Sequence, residues 1–186
     1  MIIVNLKTLS HDKLMQAAQI LTQELPLGWP TLTEAEAEIS IRWKDEPSAL
    51  FLVAMQDGQV AGLGGLLPHY NGNVYEIHPL VVRRDLQHKG IGAALVAELE
   101  NTARARGALT LWVGADDEKP NGETSLANVY LYNNLPACIT AFNPGTHPSA
   151  FYIKQGFRVI GVMPDANGIG KPDIFLAKSL RTDLLV

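Results

Sequence analysis

The sequence is short of cysteine and of long hydrophobic runs, and each shortage removes a class of protein. Cys138 is its only cysteine, so no intrachain disulfide can form, which suits a reducing compartment. As a lone thiol it fits a small core hydrophobe more readily than a nucleophile. No apolar stretch approaches the roughly 18 residues that a spanning helix needs. The opening Met1-Ile2-Ile3-Val4-Asn5-Leu6 lacks a basic leader and a small-residue cleavage site, so a cytoplasmic protein is expected. Basic residues are not in excess either. Fifteen Lys and Arg against nineteen Asp and Glu leave a formal net charge of −4, without the surplus that phosphate-backbone binding requires. Nucleic acid and membrane are therefore not expected as partners, whereas a small cation would be drawn by such a field. Internal repeats and low-complexity tracts are absent as well.

What is present suits an ordinary folded chain. Its 186 residues, 47% hydrophobic and 18% charged, are expected to form one domain spanning 1–186. Ser10 caps a first predicted helix with Leu14, Ala17, Ala18, Leu21 and Leu25 on one face, ended by Pro26 and Gly28. Thr33 and Glu36 make a capping-box signature for a second, with Ala35, Ile39 and Trp43 inward and Asp45-Glu46-Pro47 as its stop. Leu50 to Met55, Asp57-Gly58 and Val60 to Leu67 read as a hairpin closed by a two-residue turn. Gly62, Gly64 and Gly65 in its second strand mark a bulge or a close approach of backbone or ligand.

Val74 to Val82 reads as the next strand, interrupted by Pro79, which lacks a ladder donor. Ile91 to Arg106 is a strong amphipathic helix ending at Gly107. Leu109 to Val113 follows as a buried strand. Ala115 to Thr146 is turn-rich and long for a loop, with a helix expected around Ser125 to Asn133. A short helix from Pro148 to Gln155, a strand from Phe157 to Met163, a turn-rich Pro164 to Lys171 and a last strand from Ile174 to Lys178 complete the pass.

The chemistry concentrates in Gln87-His88-Lys89-Gly90-Ile91-Gly92-Ala93, which joins a strand to a helix. Glycines there let the main chain approach a ligand closely, and free N–H groups at the helix N-terminus make an anion site suited to pyrophosphate. The segment lacks the GK[ST] ending of a Walker loop. It also lacks the three-glycine dinucleotide fingerprint, and it stands mid-chain after an antiparallel hairpin.

Three ordered stretches, Glu76-Ile77-His78-Pro79-Leu80-Val81-Val82, Gln87 through Ala93, and His147 through Phe157, resemble the acetyl-CoA-binding strand, Q-x-x-G-x-G loop and late Y-x-x-x-G-F segment of the GNAT superfamily. Within it the chain is similar to aminoglycoside 6′-N-acetyltransferases of the enterococcal chromosomal type. Their E-x-H-P-L-V-V strand, G-x-D-D turn and N-G-x-x-K-P-D-I segment match Glu76 to Val82, Gly114 to Asp117 and Asn167 to Ile174. The resemblance spans about Leu50 to Lys178. It implies an α/β fold: a twisted mixed sheet with helices on both faces and two splayed central strands, the pantetheine arm of acetyl-CoA lying between them. It implies an amine acetyltransferase without a metal, and the relatives suggest a homodimer.

Carried over residue by residue, the resemblance places coenzyme contacts on Leu80, Val81, Val82, Gln87, His88, Lys89, Gly90, Ile91, Gly92 and Ala93. Leu80 and Val82 would pair with pantetheine, the N–H groups from Gln87 to Ala93 would hold pyrophosphate, and Lys89 and Arg84 are either added charge or solvated surface. Catalysis falls to Glu76 as base, to the N–H of Leu80 as oxyanion donor, and to Tyr152 at the departing thiolate. His78, on the face of Glu76 by strand period, either positions water or substrate or is a structural histidine. With the resemblance Asp116 and Asp117 join Glu76 as contacts of an aminoglycoside-like polycation. From the residues alone Asp116, Asp117, Glu118 and Glu123 are either a site for several ammonium groups or solvated turns. Glu34, Glu36 and Glu38 add acidity without all sharing one face, and Trp29 offers an apolar wall for a sugar ring. The rival readings are a GNAT acting on polyamines, peptide N-termini or protein lysines, and a catalytically silent acyl-CoA-binding module.

Overall fold

Local signals in the sequence set most element boundaries in the computed structural model, which describes residues 1–44 and 50–181. The Asp45-Glu46-Pro47 stop lies outside the described residues. Among them are seven strands and five α-helices, a mixed α/β composition. The chain divides into two compact units, Met1–Leu109 and the remainder from Thr110.

The first unit contains β1 (Ile2–Asn5), α1 (His11–Glu24), α2 (Leu32–Lys44), β2 (Leu50–Gln56), β3 (Gln59–His69), β4 (Val74–Val82) and α3 (Ile91–Ala105). β1, too short to announce itself in the sequence, pairs antiparallel with β2. Asp57 and Gly58, both at positive φ (51° and 73°), close the β2–β3 hairpin, the geometry a two-residue turn favours because its twist matches the strands. Ser10 caps α1 through its carbonyl, which accepts from Lys13 and Leu14 at 3.0 Å, and not through its side chain.

The capping box of α2 is Thr31–Glu34, two residues earlier than Thr33–Glu36. The Glu34 carboxylate accepts from the Thr31 N–H at 3.0 Å, and the Thr31 hydroxyl accepts from the Glu34 N–H at 3.3 Å. The earlier frame gains the Ala35 N–H to Thr31 carbonyl bond, 3.1 Å, and still turns Ala35 and Ile39 into the core. Trp43, expected inward, is 44% exposed.

Helices cover both faces of this unit's strands. Leu6, Ala17, Leu21, Ala35 and Ile39 pack with Phe51, Val53, Leu63 and Val81 in one buried cluster, each large side chain contributing about 1.5–3 kcal/mol by leaving water. On the other face α3 buries Leu95, Val96 and Leu99, and Leu99 and Leu95 approach Gly64 so closely that a Cβ there would lie 2.9 Å from a Leu99 methyl.

Pro79 does not end β4. Two steps on β3, Gly64 to Leu66, face three on β4, Ile77 to Leu80, so one extra residue is accommodated at the cis His78–Pro79 peptide. A bulge of this kind resets which face a side chain takes. Glu76, opposite Leu67, belongs to the α1/α2 face, and so does Val81, opposite Leu63; Leu80, opposite Gly64, turns to the α3 face. Gly65 makes room for the bulge, since a Cβ there would collide with the His78 carbonyl and the Phe51 ring.

The second unit holds β5 (Thr110–Asp116), α4 (Leu135–Thr140), α5 (Ser149–Lys154), β6 (Arg158–Met163) and β7 (Asp173–Ser179). β7 pairs antiparallel with both β5 and β6 around Leu111, Val113, Phe157, Ile174 and Leu176. No α-helix forms over Ser125 to Asn133. Asn128 there takes φ 58°, which breaks helical geometry, and the helix starts later. Asn134 caps α4 by accepting from the Ala137 N–H, with Pro136 in the first turn. Cys138 sits on α4 half-buried and free, outside the core expected for it.

Candidate active site

The donor side is a matter of main-chain direction. The Arg83 N–H donates to the Ala61 carbonyl at 2.9 Å, which makes Gly62–Val82 a non-hydrogen-bonded pair and Leu63–Val81 a bonded one. The N–H and C=O of Leu80 and Val82 therefore point away from β3, while those of Val81 are spent on it. The expectation that Val81 contacts the coenzyme is corrected by this alternation, because its side chain is also buried in the α1/α2 cluster.

Beyond β4 the chain turns into α3. His88 (φ 59°) and Gly90 (φ 84°) are both left-handed, and at Gly90 it is this conformation, with nothing within 4 Å of a Cβ, that calls for glycine. No side chain caps α3, whose first helical bond runs from the Ala94 N–H to the Gly90 carbonyl at 3.0 Å. Among the described residues, the N–H groups of His88, Lys89, Gly90, Ile91, Gly92 and Ala93 have no protein acceptor, so six donors converge at the positive end of a fifteen-residue helix. A pyrophosphate fits such a cradle.

Gln87 is not one of the donors. Its N–H is held by the Arg84 carbonyl at 3.3 Å, and its side-chain amide donates to the Val82 carbonyl at 2.9 Å, bracing the loop against the end of β4. Lys89 and Arg84 are similarly engaged, Lys89 Nζ with the Asp85 carbonyl at 3.0 Å and Arg84 with Glu24 at 3.3 Å. The Ile91 side chain is buried, leaving only its N–H to a ligand.

On the α1/α2 face of the same unit the Glu76 carboxylate is 19% exposed and bonded through Oε2 to His69 Nε2 at 2.8 Å. His69 carried no signal of its own in the sequence. The His78 ring lies 6.0 Å from that of Trp29, tilted by 46°. A partly buried carboxylate can take an ammonium group, and a tryptophan ring an apolar ring face.

In the second unit Tyr152 lies on α5 between Phe151 and Phe157, edge-on to both at 5.1 and 5.7 Å. Burial pushes its hydroxyl well above the ordinary tyrosine range, which keeps it protonated and able to donate. The acidic run divides. Asp117 is fully buried, and its carboxylate accepts from the Glu123 N–H at 2.9 Å and the Thr124 N–H at 2.8 Å, so it braces a loop and does not present a free carboxylate as expected. Glu123 is taken by Lys119 at 2.8 Å and the Thr146 hydroxyl at 3.1 Å. Asp116 remains exposed, accepting from the Asn167 amide. Glu118 is raised above the ordinary carboxylate range, mainly by burial, then by the charge of Asp116, with Lys171 opposing.

Of the acids on α2, Glu34 is spent on the cap and Glu38 on Arg42 at 2.7 Å. Glu36 borders a cleft of about 280 Å³ between α1 and α2 together with Met15, Ile39 and Trp43, and is the one residue of that lining singled out for substrate acidity.

The profile of the acetyltransferase (GNAT) family matches residues 14–121, which covers the donor cradle, Glu76 and the first part of the acidic run. The chain belongs to the GNAT family of acetyltransferases. Its structure is similar to that of an aminoglycoside 6′-N-acetyltransferase from Enterococcus faecium, 29% identical, with TM-score 0.85 over 97% of this chain and 98% of that one. An aminoglycoside 6′-N-acetyltransferase complexed with coenzyme A is 31% identical, with TM-score 0.83 and the same coverage. An aminoglycoside 6′-acetyltransferase type Ii is 26% identical, with TM-score 0.74, again over 97% and 98%. No curated protein matches. The chain is an N-acetyltransferase of mixed α/β GNAT fold that uses acetyl-CoA as acetyl donor.

Proposed function

We propose that the enzyme acetylates a primary amine of an aminoglycoside-like polycation, with Glu76 accepting the ammonium proton. The observation that carries this reading is the partly buried Glu76 carboxylate, held through Oε2 by His69 with Oε1 open among the described residues, on the strand that also carries His78, whose ring pairs with Trp29. Amino sugars combine an ammonium group with an apolar ring face, and Glu76 and Trp29 offer a partner for each. Asp116 and Glu118, the acids of the run that are not consumed by the loop, add negative charge for further ammonium groups. Asp117 has no part in it. The aminoglycoside acetyltransferases at 29–31% identity support the same class of acceptor.

Acetyl-CoA supplies an activated thioester when bound. In this reading the Leu80 carbonyl and the Val82 N–H would pair with the pantetheine arm, the N–H groups from His88 to Ala93 would hold the pyrophosphate, and the Leu80 N–H would face the thioester oxygen as charge develops there. The Tyr152 hydroxyl, kept protonated by burial, would stabilise the departing thiolate by hydrogen bonding or share its proton with it. His78 is assigned to substrate positioning, its ring being matched to Trp29 and not to a backbone group. The residues 1–186 act as one catalytic domain, in the cytoplasm and as a homodimer.

Mass spectrometry of products from acetyl-CoA and a mixed amine panel tests the acceptor. Saturable mono-acetylation of kanamycin-like compounds is expected. Preference for spermidine, a peptide N-terminus or a lysine side chain would replace the acceptor assignment while leaving the donor side intact.

A further inference from the structure

We propose that His69 is a positioning residue for acetyl transfer, holding one oxygen of the Glu76 carboxylate so that the other faces the incoming amine. The inference rests on Glu76 being the base and adds a residue to that site.

The hairpin brings the two together. His69 ends β3 opposite Val74, and Glu76 lies opposite Leu67, so His69 and Glu76 stand on one face as diagonal cross-strand neighbours, within reach of long side chains. The turn Tyr70–Gly72, with Tyr70 and Asn71 at φ 49° and 56°, begins immediately after His69 and closes the strands. Nε2 of His69 meets Oε2 of Glu76 at 2.8 Å, and Oε1 has no partner among the described residues. The burial is asymmetric in a useful sense. At 39% exposure against 19%, the imidazole forms the solvent side of the pair and the carboxylate its inner side.

A glutamate has three rotatable bonds, and a free one would divide its time among rotamers that miss the amine. Donation from Nε2–H to Oε2 selects one of them. The bond is charge-assisted, hence short and directional. Since His69 acts through Glu76, its removal costs turnover only while Glu76 is present.

The test is a double-mutant cycle with full-length enzyme, read as kcat and as the KM for acetyl-CoA, with coenzyme A affinity and thermal melting as checks on folding. His69→Ala is expected to lower kcat about tenfold with the acetyl-CoA KM unchanged. His69→Gln, which keeps an N–H donor on a side chain of similar reach, is expected to restore most of it. In the Glu76→Gln background the further change His69→Ala is expected to have no effect. A His69→Ala enzyme as fast as the parent overturns the proposal, and so does a double variant that loses the full product of the two single effects. No rescue by His69→Gln also overturns it, since an imidazole would then be needed for more than its N–H. If Glu76→Gln alone leaves kcat unchanged, it is the assignment of the base that has failed, and the cycle distinguishes this from failure of His69.

Discussion

The β4–α3 corner and the segment from Asp117 to His147 solve opposite problems. The corner exposes main chain: the N–H and C=O of Leu80 and the N–H of Val82 turn away from β3, and among the described residues six N–H groups at the tip of α3 have no protein acceptor. The Asp117–His147 segment consumes side chains to satisfy main chain. Asp117 caps Glu123 and Thr124, Ser125 and Asn143 exchange two bonds at 2.9 Å, and His147 reaches the Asp116 carbonyl at 2.9 Å. Backbone groups without a ladder partner must find one elsewhere, and buried Asp117 and His147 with Ser125 provide it here. Carboxylates that look available for substrate can therefore be structural, whereas the glycine-containing corner leaves main-chain N–H groups without a protein acceptor among the described residues.

Four substitutions test this contrast. Glu76→Gln should lower turnover most, by about 10²–10⁴-fold, the usual worth of a general base, while calorimetry shows coenzyme A affinity unchanged; parent-like rates across pH would remove Glu76 from the chemistry. Gly92→Val places a branched side chain in the first turn of α3 beside the free donors, and coenzyme A binding should weaken at least about tenfold, ~1.4 kcal/mol. A folded variant that binds coenzyme A normally would move the pyrophosphate elsewhere.

Asp117→Ala removes a buried carboxylate that accepts from the N–H groups of Glu123 and Thr124 and should destabilise the chain by about 1–3 kcal/mol, read as a lower midpoint in urea. Asp116→Asn should leave that midpoint unchanged and raise the acceptor KM. If the two exchange these phenotypes, the division of the acidic run is wrong. The smallest effect is a titration. Burial and the charge of Asp116 disfavour ionised Glu118 and Lys171 favours it, so NMR should place its midpoint above that of a free glutamate. Asp116→Asn should lower it only in part, because burial is the larger cause. With the folded value raised, the stability that this group contributes is present at acid pH and lost as pH rises through its folded midpoint.

The first unit was largely legible because its signals are local. Asp57-Gly58 fixes a turn wherever two strands flank it, and a strand, a glycine pair and an amphipathic helix fix an anion site regardless of what else the chain does. The α2 cap slipped by two residues because the sequence offers two T-x-x-E frames, and only hydrogen bonding separates them. His69 escaped notice because its partner, Glu76, lies seven residues on and across a turn. The helix expected at Ser125 to Asn133 failed because the left-handed Asn128 holds the Gly170 carbonyl at 2.8 Å, a contact from 42 positions away that no window of sequence contains.

The sequence by itself determined where this protein offers bare main chain, since glycine, proline and a helix start act on their immediate neighbours through sterics and hydrogen-bond geometry. Tertiary structure alone decided which side chains remain for chemistry. The bulge at His78–Pro79 sends Glu76 and Leu80 to opposite faces, the hairpin delivers His69 to Glu76, and burial commits Asp117 to the backbone. Each of these depends on groups distant in sequence that meet only when the strands are paired.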